Sequence, residues 1–247
     1  MTRLSWEMKL GIVLVALSAV VYTIKFLFLG DPENTYFYVF NALGFLPINV
    51  LLVTIVLNSL LSIRSKREKL QKLNMVIGTF FSEVGTGLLT ALSDYDPCGG
   101  DIKKELVVKT EWGRDEFDRV SACLASHPFG VDIGVVRLEE LREFLMQRRD
   151  FLLRLLENPV LLEHESFTEL LRAVFHLTEE LERRETLVGL PASDYAHLAN
   201  DIARVYSLLV RQWLDYMRYL KENYPYLFSL AMRTNPFDSE ATPVVSS

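Results

Sequence analysis

Residues 37–63, FYVFNALGFLPINVLLVTIVLNSLLSI, form 27 consecutive positions without a charge. As a helix rising about 1.5 Å per residue, such a run exceeds the roughly 30 Å of a bilayer's hydrocarbon core. It opens on the aromatic group Tyr36, Phe37 and Tyr38, a composition suited to a membrane–water interface. Pro47 interrupts it, with Asn41, Gly44 and Asn49 nearby. A proline there frees a carbonyl, so a kink is expected, with the amides satisfied by a companion helix.

Toward the N-terminus lies LGIVLVALSAVVYTIKFLFL, residues 10–29, whose 20 positions also match one bilayer crossing. Its single cation, Lys25, stands about a turn from the far end, where its stem lets the ammonium reach the headgroups. Ala16, Ser18 and Ala19 have the spacing of a leader-peptide cleavage site, but the apolar run continues past them, so an uncleaved anchor is expected. Arg3 and Lys9 precede the first span, the link GDPENT carries only acids, and Arg64, Lys66, Arg67, Lys69 and Lys72 follow the second. Basic residues near a span stay on the inner side, so the expectation is a multi-pass protein of the cell membrane with both termini cytoplasmic. A link this short has no room for the re-entrant helix and filter of a potassium-type channel, nor for an outer sensor domain.

Beyond Arg64 the composition becomes that of a soluble domain. Of the 247 residues 50% are hydrophobic and 23% charged, with a net charge of −6. Residues 1–73 hold eight Lys or Arg against four Asp or Glu, net +4, and the remainder 18 against 28, net −10. The basic stretch suits an anionic inner leaflet, and the acidic remainder is a poor partner for nucleic acid.

Apolar spacing in this part is helical throughout, which predicts an all-α fold: a two-helix transmembrane hairpin followed by a cytoplasmic helical bundle. The boundaries expected are 1–63 for the hairpin, 64–237 for the helical domain and 238–247 for a disordered tail. Leu73, Ile77, Phe80, Val84, Leu88 and Leu92 recur at three or four residues, so the second span continues as a long helix to about Ser93 that couples span and domain. Helices follow at 102–110 and at 116–126, the latter capped by Asp115 and stopped by Pro128. Residues 136–157 read as one helix, with Leu138, Leu141, Leu145, Leu152 and Leu155 on a stripe. Ser166 and Glu169 form a capping box for a helix that buries Phe167, Leu170, Val174, Leu177 and Leu181 and fades at Gly189. The last long helix, capped at Ser193, aligns Leu198, Ile202, Val205, Leu209, Trp213, Tyr216 and Leu220. Residues 224–232 are apolar but too short to span and are expected to pack on the bundle.

The search for chemistry yields little. Cys98 and Cys123 make no CxxC pair and are expected as free thiols. His176 shares a face with Arg172, Glu179 and Arg183, and His197 pairs at i,i+4 with Asp201 ahead of Arg204 and Arg211, which places both histidines on wet faces. No Glu-x-x-His of a di-iron bundle occurs; Asp194 with His197 comes nearest, and no metal site is expected from it. Gly85 and Gly87 fall inside a helix, so they permit close packing or a bend instead of cradling phosphate, and no nucleotide or hydrolase fingerprint is present. Asp94, Asp96, Gly99 and Glu105 fall on the first, third, sixth and twelfth positions of a calcium loop, but Cys98 takes the fifth, and a Pro-Gly turn joining two helices is the simpler reading. Glu83, among Phe80, Phe81, Val84 and Leu88, is expected at the edge of the stripe, within reach of water or an arginine.

No catalytic, cofactor-binding or metal residue is therefore assigned, and no cofactor is implied. The expectation is a non-enzymatic integral membrane protein, a membrane-tethered helical scaffold or signalling domain whose partners are the lipid bilayer and a protein or a second copy of itself. The alternative is a subunit of a small oligomeric channel or transporter assembled around Pro47 and the asparagines of the second span. Further behind stands a membrane-bound hydrolase or metalloenzyme built from Glu83, Asp94 and a histidine.

Overall fold

The computed structural model describes residues 6–29, 32–159, 161 and 164–244, and every regular element among them is helical. The protein is all-α. The chain divides into two units, Met1–Lys66 and Arg67–Ser247.

The first unit holds α1 (Trp6–Leu29) and the N-terminal part of α2 (Pro32–Phe80). The described apolar side chains of 12–28 and 36–63 are all exposed. By length and composition one described helix, Tyr36–Ser93, is able to cross a membrane, and Ile12–Phe28 is a shorter apolar helix. α2 continues through Pro47. The Lys25 ammonium lies 4.0 Å above the centre of the Tyr38 ring, a cation–π contact between α1 and α2.

In the second unit the last turns of α2 pass into a π-helical turn, Phe81–Gly85, and then α3 (Thr86–Ser93). The stripe from Leu73 to Leu92 is buried as its spacing predicts. α4 (Gly99–Glu105), α5 (Arg114–Ser126), α6 (Leu138–Met146) and α7 (Arg149–Leu156) are short. α8 (Glu165–Glu182) and α9 (Ala192–Asn223) form the central pair, and α10 (Pro225–Arg233) lies on α9. α9 also receives α3 and α5, while α6 and α7 rest on α8. Leu170, Val174, Leu177 and Leu181 of α8 are fully buried together with Leu198, Ile202, Val205 and Leu209 of α9, each removal from water contributing about 1.5–3 kcal/mol.

Several boundaries differ from the sequence reading. The helix expected at 102–110 is α4, starting at Gly99 and ending at Glu105. Leu106 and Val108 are buried on alternate positions of a non-helical segment, whose Leu106 carbonyl accepts a bond from Asn235 Nδ2 at 2.9 Å. α5 begins at Arg114 without a side-chain cap, so Asp115 acts within the first turn, where a carboxylate favours the helix dipole. The single helix expected at 136–157 is broken between α6 and α7. Arg148, at φ −109° and ψ 3°, leaves helical geometry at the break. Its guanidinium lies over Phe144 at 3.7 Å and its Nε donates to the Glu83 carbonyl at 2.7 Å, bonds a continuous helix would forfeit. The capping box is also replaced: His164 is the N-cap of α8, its Nδ1 accepting from the Phe167 amide at 3.3 Å. Ser166 donates instead to Gln212 of α9 at 3.2 Å. Pro191, not Ser193, precedes α9. Residues 224–232 do pack on α9, through buried Phe228, with Tyr226 left exposed. Of the segment expected to be disordered, 238–244 forms turns, Glu240 donating its amide to Asp238 Oδ1 at 2.9 Å, and 245–247 lie outside the described residues.

Candidate functional site

The calcium-loop, cysteine, glycine and histidine candidates lie among the described residues. The three carboxylates of the calcium-like stretch are held by three different partners: Asp94 by Lys103 at 2.7 Å, Asp96 by His127 at 3.1 Å and Glu105 by Arg119 at 2.5 Å. A calcium loop needs its ligands to converge with no helix between them, whereas here α4 starts at the sixth position, so these residues are joint hardware. Asp96 is the buried member: its side chain is fully covered, Oδ1 accepts from the Cys98 amide at 2.9 Å, and Oδ2 meets His127 Nε2. Near this pair the Tyr206 phenol is buried without a hydrogen-bond partner among the described residues, and burial first, then the charges of Asp96 and Asp94, push it above the usual phenol range.

Glu83 is exposed at the edge of its stripe, and the arginine that reaches it, Arg148, takes its backbone carbonyl. Gly87 serves packing, because a Cβ there would stand 2.8 Å from the Phe144 ring of α6. Cys98 and Cys123 are exposed, free thiols. A cavity of about 150 Å³ between α2, α9 and α10 is lined by Gly78, Phe81, Ser82, Trp213, Tyr216 and Leu230, with further apolar and hydroxyl neighbours. It presents no carboxylate, imidazole or cation.

Among the described residues, a group of side chains able to hold a metal ion converges across the α8–α9 seam. His176 and Glu180 project from α8, Asp194, His197 and Asp201 from α9, and Arg184 from the connection between them. Arg184 closes the root of this hairpin: Nε and Nη2 bind the Asp194 carboxylate at 2.9 and 2.7 Å, while Nη1 takes Glu180 Oε2 at 2.7 Å. These contacts, the Arg184 bond foremost, hold the Asp194 and Glu180 carboxyls below the usual carboxylate range. Above the fork, Asp201 Oδ2 lies 3.5 Å from His176 Nε2 and 3.4 Å from His197 Nε2. Glu180 stands 3.9 Å from the first imidazole and 3.6 Å from the second. Asp201 Oδ2 is buried, yet neither imidazole makes a hydrogen bond to it and no other described group does. The two imidazoles are each half exposed.

The sequence reading saw the His197–Asp201 pair and set both histidines on wet faces; it did not bring the two helices together. The missed signal is His176–Glu180, a second histidine followed four residues later by a carboxylate. Both histidines lie about two turns from the α8–α9 connection, so an antiparallel pairing sets them side by side.

Fold and site define an all-α protein of two helical units with a polar cluster across the α8–α9 seam. Residues 69–233 match the family described as "Uncharacterized protein MJ1433, C-terminal helical domain", and residues 2–61 match "MJ1433, N-terminal helical domain". Over 232 residues the chain is 47% identical to "Uncharacterized protein MJ1433" of Methanocaldococcus jannaschii, covering 94% of this chain and 93% of that one. The chain belongs to this family. No solved structure matches it.

Proposed function

We propose that this is a non-catalytic, membrane-anchored helical protein. Residues 10–29 and 37–63 cross the bilayer as a hairpin, and the second unit acts on the inner side as a scaffold or signalling domain through contacts with a protein or a second copy. The observation that carries the reading is exposure: Leu51, Val53, Ile55, Leu57 and Leu61 each keep more than half of their surface uncovered, and so do most of their neighbours. Soluble monomers rarely leave a contiguous apolar patch larger than a few hundred Å², so these helices call for a non-aqueous neighbour, and their length suits a bilayer. The basic residues from Arg64 to Lys72 and the acidic link at 30–35 support an inner location for both termini.

Membrane fractionation of the expressed chain tests this. Retention in the pellet after alkaline carbonate washing is expected, with a reporter fused after Ser247 active only in the cytoplasm. Recovery in the carbonate supernatant, or a reporter active only outside, would refute the anchor or its orientation respectively.

A further inference from the structure

We infer that His176, His197 and Asp201, with Glu180 as the fourth donor, form a binding site for a divalent transition-metal ion of the zinc type that clasps α8 to α9. Three observations carry it, none of which depends on a membrane. The first is spacing. Donors at the corners of a tetrahedron around zinc, with bonds of about 2.0–2.1 Å, stand about 3.3–3.4 Å from one another. Asp201 Oδ2 is 3.5 Å from one imidazole Nε2 and 3.4 Å from the other, and the donor atoms of these three residues all lie within 4.8 Å of one another. Glu180 borders the group: its Oε1 is 3.9 Å from His176 Nε2, and its Oε2, bound by Arg184, is 3.6 Å from His197 Nε2.

The second is an unpaid debt in the cluster: Asp201 Oδ2 is buried, and no described group donates a hydrogen bond to it. A buried carboxylate oxygen without a donor is destabilising, and a cation seated between the two nitrogens would relieve it. The third is charge. With neutral imidazoles, Glu180, Asp194 and Asp201 against Arg184 leave the cluster at −2, the charge that one divalent ion neutralises. Two imidazole nitrogens beside two carboxylates suit zinc, and a site for calcium or magnesium would be built from oxygens alone. Arg184 occupies Glu180 Oε2, so the other oxygen of that carboxylate is the one free to turn to the metal. Binding requires deprotonated Nε2 atoms and weakens as the imidazoles take up protons.

The test is cobalt(II) titration of the purified full-length chain, followed by its visible absorption. The expected result is one ion bound per chain with the intense bands of tetrahedral coordination, displaced by zinc(II). H176A and H197A should each lower the affinity at least tenfold, D201N should do likewise, and H164N, which alters the remote cap of α8, should bind as the parent does. Absence of cobalt or zinc binding up to millimolar concentration, a weak octahedral spectrum, or binding indifferent to H176A and H197A would overturn the proposal. The parent protein alone decides the first two outcomes, so a variant that fails to fold does not shield the idea.

Discussion

At Asp96 one side chain shows how much energy a single polar partnership can hold in this fold. Its carboxylate is fully covered and depends on the Cys98 amide and His127. Removing the imidazole leaves a buried acceptor, so H127A should lower the unfolding free energy by about 1–3 kcal/mol in denaturant titration. Truncation of Leu177, which is fully buried between α8 and α9, should cost about 2–5 kcal/mol by the same measurement. The apolar residues were the legible part of the sequence: each stripe from Leu73 to Leu92, from Leu138 to Leu155 and along α8 is buried where its spacing put it. Polar residues were not, because their partners are chosen across the fold. Ser166 has the local pattern of a cap, but Gln212, 46 residues away, takes its hydroxyl, and His164 caps in its place. Asp94, Asp96 and Glu105 have the spacing of a calcium loop, but a lysine, a histidine and an arginine draw them apart.

The same division holds for whole helices. Apolar period located α8 and α9 well, yet the break between α6 and α7 has no Gly or Pro to announce it, since it rests on the reach of Arg148 to the Glu83 carbonyl and the Phe144 ring. R148A should lower stability by about 1 kcal/mol and mark this bond as the reason for the break. The α8–α9 pairing also sets a pH dependence. Glu180 and Asp194 have pKa values below their unfolded values, chiefly through Arg184, so their contribution is complete above the unfolded carboxylate range and is lost as pH falls through the depressed folded values. Thermal midpoints measured downward from neutral pH should therefore decline through the acid range, and R184A should flatten that decline while lowering the plateau. The candidate metal cluster was half legible: two His-x-x-x-carboxylate pairs are printed in the sequence, and only the helix pairing reveals that they share one space.

For the molecule as a whole, the shift from an apolar, net basic N-terminal region to an acidic remainder was the plainest feature of the sequence, and the structure divides the chain at residues 66 and 67. What a sequence cannot state is which exposed surface is meant for which neighbour, because exposure is a property of the folded chain. A ligand that joins two elements present only in the native state raises native stability by mass action, so zinc(II) should lift the thermal midpoint of the parent protein and leave that of H176A unchanged. The bond set at the root of the α8–α9 hairpin carries a different consequence. Glu185, Thr186, Val188 and Gly189 are exposed, while the Arg184 fork and the buried face of the two helices lie outside that short segment. A protease that nicks the backbone there would sever the covalent thread without parting the two pieces. They should co-migrate on a native gel, and separately expressed halves should reconstitute by complementation.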